Sequence, residues 1–216
     1  VSGTYEADVP YEDRYLIDNM NELPEYEPRK VFIDLEALQY NRKSSGPKEM
    51  RQKGAIWADR QSINVIGCYD NYTNIYTIWT PHPLAHEHLH SFSQITPVKM
   101  MKFDGIDVEI RHFANEYIMM QDFVKWLELI DPDILLAWGM GFYDLPTLYA
   151  RLESLGIGAD KLSPSSLGKN RHVDEPSRWT KDRYNWTRQP IRGRTVISLD
   201  RLFERVYRCL LYTSPS

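Results

Sequence analysis

Three acidic residues of this chain stand where strand geometry could bring them together. Asp34 and Glu36 lie two apart in an apolar segment, and Asp144 follows roughly a hundred residues later. Residues two apart on a strand project from the same face, so we expect Asp34 and Glu36 to point the same way. Carboxylate oxygens suit Mg²⁺ or Mn²⁺ rather than zinc. The pair predicts a divalent-cation site, and an edge strand whose acids face water is the alternative.

Two apolar runs must position these acids. The first spans residues 31–36, where we expect Phe32, Ile33 and Leu35 to bury a strand. The second is the compact run 134–137, which follows an Asp-Pro-Asp turn and is typical of a buried strand in a parallel or mixed sheet. Carboxylates at strand ends occupy the edge where open α/β sheets place their sites.

Asp144 begins a predicted helix. Pro146 suits a first helical turn, and leucines continue at helical spacing at Leu145, Leu148, Leu152 and Leu155. An Asp at this position also caps helices by accepting from backbone N–H groups. A capping role is therefore the alternative to a catalytic role for Asp144.

The remaining patterns predict a mixed α/β domain. β-branched and aromatic runs at 62–69 and 74–80 are separated by Asp70-Asn71-Tyr72-Thr73, which indicates a hairpin. With the Asp34 strand they would form three antiparallel strands. An amphipathic helix is predicted over residues 118–130, leading into the second apolar run.

These motifs, in this order, resemble the exonuclease region of family B DNA polymerases. The resemblance is carried by Asp34-Leu35-Glu36, by Asp133-Ile134-Leu135-Leu136-Ala137-Trp138 and by Tyr143-Asp144-Leu145-Pro146, which look like the first two exonuclease motifs. Residues 5–10 and 14–18 resemble the segment that precedes this domain in such polymerases, and residues 193–200 resemble the strand before the third motif. The resemblance covers nearly the whole chain.

The resemblance implies an RNase H-like (DnaQ-like) fold and 3′ to 5′ proofreading of a DNA primer end. Asp34, Glu36 and Asp144 would be catalytic residues and ligands of two Mg²⁺ or Mn²⁺ ions, and Tyr143 would contact the nucleic acid. The fourth carboxylate and a tyrosine that orients the attacking water belong to a third motif, which we expect beyond this chain. Asp200 falls in the preceding strand and is not expected to replace that carboxylate. The chain alone is therefore expected to be inactive.

Two positions depart from the family pattern. Gly139 stands where Asn is usual, and this Asn helps to hold the primer end near the metals. Tyr143 stands where Phe is usual and keeps an aromatic face for stacking. Neither departure removes a metal-binding carboxylate.

A basic and aromatic segment precedes residue 194. Arg183 and Arg188 interleave there with aromatic residues such as Trp186, a pattern that suits a single-stranded backbone and its bases. A solvated loop whose aromatic side chains pack beneath it is the alternative. Loss of Arg183 and Arg188 is expected to weaken primer-template binding and to flatten its salt dependence if the segment binds nucleic acid.

The spacing of the histidines and cysteines does not indicate a metal site. Four histidines alternate on a proline-bounded stretch, at His82, His86, His88 and His90, without the partner pair that zinc sites use, so a surface loop is the better interpretation. The two cysteines, Cys68 and Cys209, provide neither a disulfide framework nor metal spacing.

Composition indicates an intracellular protein without a membrane span. The 216 residues are 42% hydrophobic and 26% charged, with a net charge of −4, and no apolar run is long enough to cross a bilayer. We expect residues 1–28 to end an acidic N-terminal polymerase segment or connector and residues 29–208 to form the exonuclease domain. Residues 209–216 read as a translated sequencing adapter and are set aside from the fold.

The sequence thus predicts a family B DNA polymerase segment that acts on a primer-template and its single-stranded 3′ end, in contact with the rest of the polymerase chain. Two alternatives stay open. One is a stand-alone DNA or RNA exonuclease of the same carboxylate type. The other is a nucleic-acid-binding scaffold without catalysis, which Gly139 and the absent third motif would permit.

Overall fold

A mixed seven-stranded sheet forms the centre of the computed structural model, with the strand order β4-β5-β3-β2-β1-β6-β7. The structure describes residue 19 and residues 25–37, 62–81, 99–174 and 189–211, with side chains through residue 207. The strands are β1 (Lys30–Ala37), β2 (Ile63–Asp70), β3 (Ile75–Thr80), β4 (Lys99–Phe103), β5 (Ile106–His112), β6 (Ile134–Ala137) and β7 (Thr195–Ser198). The α-helices are α1 (Glu116–Ile130), α2 (Leu145–Ser154) and α3 (Leu199–Leu211).

Strand β1 lies between an antiparallel and a parallel neighbour. It pairs antiparallel with β2 along its length and parallel with β6 only from Lys30 to Phe32. Strand β6 in turn pairs parallel with β7. Beyond Phe32, the β6 side of β1 is therefore open to other groups.

The alternation of side chains along β1 divides the sheet into two faces. Val31, Ile33 and Leu35 are buried on one face. On the other face, Asp34 and Glu36 are exposed and Phe32 is 38% exposed. The expectation that Phe32 helps to bury the strand was wrong, because Phe32 shares its face with the two acids.

The buried face is covered by helices. Met119, Phe123 and Leu127 of α1 are fully buried in the same core as β1, together with Leu148 and Leu152 of α2. The apolar repeat of α1 at helical spacing explains why one side of this helix packs on the sheet. The acids on the opposite face are thus held by a strand whose other face is fixed in the core.

Two hairpins build the other half of the sheet. The β2–β3 hairpin turns through residues 71–74, with Asn74 at φ 56°. The β4–β5 hairpin turns at Asp104 (φ 48°) and Gly105 (φ 83°), which is the sign of φ that a two-residue type I′ turn requires at both positions. Strand β5 then pairs parallel with β3.

Two ion pairs with buried arginines join distant parts of the chain. Glu116 at the start of α1 accepts from Arg151 of α2, with 2.9 Å from Nε to Oε1, and from the backbone N–H of Ile63 at 2.7 Å. Arg194 has no exposed side-chain surface; its Nε donates to the Leu162 carbonyl at 2.9 Å and its guanidinium lies 2.9 Å from Asp131. Both arginines therefore connect loops and helix ends around the sheet.

Most of the predicted elements are confirmed. The mixed sheet, the hairpin after residue 62, the helix ending at Ile130 and the strand Ile134–Ala137 are present. Asp200 lies in the first turn of α3, so its predicted place in a strand was wrong. The histidine cluster, and Arg183, Trp186 and Arg188, lie outside the described residues. Within the described residues, none of the helices has the length and apolar character of a membrane span.

Candidate active site

Asp144 is brought to β1 by a single π turn. Residues Met140–Asp144 form this turn between β6 and α2, and the Leu145 N–H donates to the Met140 carbonyl five residues back. π turns are uncommon and often occur at functional sites. The turn places the Asp144 side chain in the interior, where it is only 3% exposed.

The carboxylate of Asp144 contacts β1 and does not cap its own helix. No side-chain capping hydrogen bond is formed at the start of α2. The backbone N–H groups of Asp144 itself, of Gly139 and of Leu35 on β1 instead lower the pKa of the carboxylate, which places it close to β1. Leu35 lies beyond the end of the β1–β6 pairing, so Asp144 occupies the open side of β1 next to Asp34.

The electrostatics place Asp34 beside Asp144. Burial, followed by the charge of Asp34, raises the pKa of Asp144 from its ordinary value of 3.8 to about 6. The backbone donors act in the opposite direction but are outweighed. Two carboxylates close together in a partly dry environment repel each other and favour a compensating cation.

Tyr143 lies within the influence of all three acids. Its pKa is raised by burial and then by the charges of Glu36, Asp144 and Asp34, while the backbone N–H of Ala37 lowers it. The Tyr143 side chain is 37% exposed. An aromatic side chain that contacts the end of β1 and remains accessible can stack on a base.

The structure thus brings Asp34, Glu36, Asp144 and Tyr143 to the carboxyl-terminal half of β1. Across the described ranges, however, no group of three or more His, Cys, Asp and Glu side chains is arranged to hold a metal ion. The three acids are neighbours without forming a ready three-ligand cluster. A bound cation would have to draw them closer together.

Gly139 and Asp200 have local roles. A Cβ at Gly139 would lie 3.3 Å from Asp144 Oδ2 and 3.3 Å from the Phe142 ring, so glycine leaves room for the buried carboxylate. Asp200 accepts from the Ser198 hydroxyl, whose oxygen accepts from the Gly141 N–H at 3.3 Å. These contacts connect Asp200 to the π turn.

Comparison with known proteins agrees with this geometry. A model of the exonuclease domain of DNA polymerase family B matches residues 79–212, which is more than half of the chain. The chain belongs to this family. The family B match includes Asp144 and Tyr143 but begins after β1 and does not reach Asp34 and Glu36. The mixed sheet with flanking helices is that of an RNase H-like exonuclease domain.

Two curated relatives are DNA polymerases. This family B domain is 26% identical over 223 aligned residues to a DNA polymerase of Thermococcus aggregans and 25% identical over 223 to one of Thermococcus litoralis. Each alignment covers 100% of this chain but only 10% and 11% of the respective relative. The chain therefore spans about a tenth of the length of these polymerases.

Sequence reasoning missed three features of the site. The π turn, the approach of the Asp144 carboxylate to the Leu35 N–H and the position of Tyr76 on β3, near Asp34, were not expected. The first two depend on backbone geometry that has no side-chain signal. Tyr76 could have been suspected because Gly67 interrupts a strand of larger residues on the neighbouring β2.

Proposed function

We propose that this domain removes nucleotides from the 3′ end of a DNA strand by metal-assisted phosphodiester hydrolysis, as the proofreading part of a DNA polymerase. Asp34, Glu36 and Asp144 are the proposed catalytic residues and metal ligands. The observation that carries the proposal is the position of the Asp144 carboxylate, which lies buried beside β1, where burial and then the charge of Asp34 raise its pKa. Membership of the family supplies the reaction class.

The donor set fits a divalent cation of the magnesium type. All three proposed ligands offer carboxylate oxygens, which Mg²⁺ and Mn²⁺ prefer. The mutual repulsion of Asp34 and Asp144 is relieved when a cation lies between them. Asp34, Glu36 and Asp144 would hold two such ions, which would supply charge to activate the attacking water and to stabilise the departing 3′ oxygen.

The residues of the chain have separate tasks in this scheme. The core beneath β1 fixes the direction of Asp34 and Glu36, and the Leu35 N–H lies close enough to the Asp144 carboxylate to lower its pKa. Tyr143 would stack on the terminal base. Residues 29–208 are the proposed exonuclease domain, residues 1–28 a connector and residues 209–216 a tail of foreign origin. The remainder of the polymerase, including the third motif, is a proposed partner of this site.

The test is degradation of a mispaired primer by a polymerase that carries this domain. Asp34→Ala and Asp144→Ala are expected to lower 3′ to 5′ degradation by at least about 10²-fold, since each removes charge that stabilises the transition state. DNA synthesis should be retained. Asp107→Ala is the matched control, because Asp107 is half exposed on β5 and pairs only loosely with Lys102 at 3.7 Å.

Undiminished degradation by Asp34→Ala would refute the proposed function. Binding of primer-template with no degradation by the unaltered protein would favour the scaffold without catalysis. Degradation without any polymerase activity in the full protein would favour a stand-alone exonuclease.

A further inference from the structure

A tyrosine from β3 lies over the strand that neighbours Asp34. Gly67 of β2 is the cross-strand partner of Asp34 in the β1–β2 pairing. A Cβ built on Gly67 would lie 2.3 Å from the Tyr76 hydroxyl oxygen and 3.0 Å from Cζ of the ring. The end of the Tyr76 side chain therefore occupies the space that a side chain at residue 67 would need.

This arrangement points the Tyr76 hydroxyl toward the acids. Directly opposite residues in an antiparallel pair share one face of the sheet, so Asp34 and Gly67 lie on the same face. Tyr76 on β3 is opposite Tyr69 on β2, and its ring reaches along that face toward Gly67. Burial and then the charge of Asp34 raise the pKa of the Tyr76 phenol, in agreement with this proximity.

We propose that Tyr76 is a positioning residue for Asp34. Its phenol lies over Gly67, the cross-strand partner of Asp34, without a hydrogen bond to that carboxylate in the structure, and it donates one when a cation draws the acids together. Gly67 lacks a side chain and so admits the phenol. This inference rests on the proposed function, because it assigns a supporting residue to the same carboxylate. An ionised carboxylate has only acceptors, so the phenol is the donor. Groups that hydrogen-bond to metal-ligating carboxylates fix their orientation and raise metal affinity.

Tyr69 provides a matched control on the same face. Its hydroxyl donates to Asn74 Oδ1 at 2.6 Å and is thereby engaged at the β2–β3 turn. Tyr69→Phe removes the same atom as Tyr76→Phe, from the neighbouring strand. A general effect of losing a phenol on this face would appear in both variants.

The test is Mn²⁺ binding measured by calorimetry on a polymerase that carries this domain. Tyr76→Phe is expected to bind Mn²⁺ about 10-fold more weakly, and Gly67→Ala likewise, because the added methyl displaces the hydroxyl without removing it. Tyr69→Phe should bind as the unaltered protein does. The Mn²⁺ concentration for half-maximal degradation should rise by the same factor in Tyr76→Phe, with the rate at saturating Mn²⁺ within about 2-fold.

Asp34→Asn separates the role of Tyr76 from the existence of the metal site. If Asp34→Asn weakens Mn²⁺ binding but Tyr76→Phe does not, the role of Tyr76 is overturned and the proposed function stands. If Asp34→Asn leaves Mn²⁺ binding unchanged, the proposed metal site itself is overturned. A melting temperature lowered in Tyr76→Phe without metal, with Mn²⁺ affinity unaltered, would show a purely structural tyrosine and also overturn the inference.

Discussion

Replacing Asp144 by Asn should stabilise the metal-free domain at neutral pH. The folded state raises the pKa of Asp144 from 3.8 to about 6, so between these values the folded protein binds more protons than the unfolded chain. The free energy of unfolding therefore falls as pH rises through this window and stays lower above it. At about 1.4 kcal/mol per pH unit, the change of the Asp144 pKa from 3.8 to about 6 lowers the free energy of unfolding at neutral pH by roughly 3 kcal/mol.

The assay is chemical denaturation in a chelating buffer at pH 4 and at pH 7.5. Asn cannot ionise and has nearly the same shape, so it removes the cost of the buried charge. The free energy of unfolding of Asp144→Asn should exceed that of the unaltered protein by up to about 3 kcal/mol at pH 7.5, and by much less at pH 4. Addition of Mn²⁺ at 100 times its dissociation constant should stabilise only the unaltered protein, by about 2.7 kcal/mol.

Two outcomes would refute this reasoning. If Asp144→Asn destabilises the protein equally at both pH values, the carboxylate serves as an ordinary hydrogen-bond acceptor for the Leu35 N–H. If Mn²⁺ stabilises the Asp144→Asn variant as much as the unaltered protein, Asp144 is not a ligand.

Two further predictions concern the frame around the site. Glu116→Ala should lower the free energy of unfolding by about 3 kcal/mol in denaturant, because it removes the carboxylate that accepts from buried Arg151 and from the Ile63 N–H. The exposed residue Glu204 on α3 provides the control, and an effect as small as that of Glu204→Ala would contradict this prediction. Arg194→Met should lower the free energy of unfolding by about 2–3 kcal/mol in the same measurement, because it leaves the Leu162 carbonyl without its buried donor and Asp131 without its cation. An unchanged denaturation midpoint would contradict this prediction.

The sequence predicted those parts of the fold that have strong local signals. The helix over residues 118–130 and the strand at 134–137 follow from apolar spacing, and the structure has them at Glu116–Ile130 and Ile134–Ala137. The β4–β5 hairpin was not predicted, although Asp104-Gly105 between alternating residues is a recognised turn signal. The parallel pairing of β5 with β3 is a long-range contact that no local pattern specifies.

The sequence predicted which acidic residues form the candidate site but not how the fold arranges them. The two-residue spacing of Asp34 and Glu36 predicted their shared face, because strand alternation is strictly local. Asp144 is the N-cap residue of α2, but the alternative of a capping side chain is not supported, since its carboxylate makes no capping hydrogen bond and lies near the Leu35 N–H instead. Phe32 was expected in the core because it is apolar, whereas its position two residues before Asp34 puts it on the acidic face.

The most direct test of the proposed metal site is a crystal of the domain soaked in Mn²⁺ and measured for anomalous scattering. We predict a peak within about 2.5 Å of carboxylate oxygens from both Asp34 and Asp144, with Glu36 alongside. Manganese bound only elsewhere, or an empty position between the two side chains at saturating Mn²⁺, would contradict the proposal.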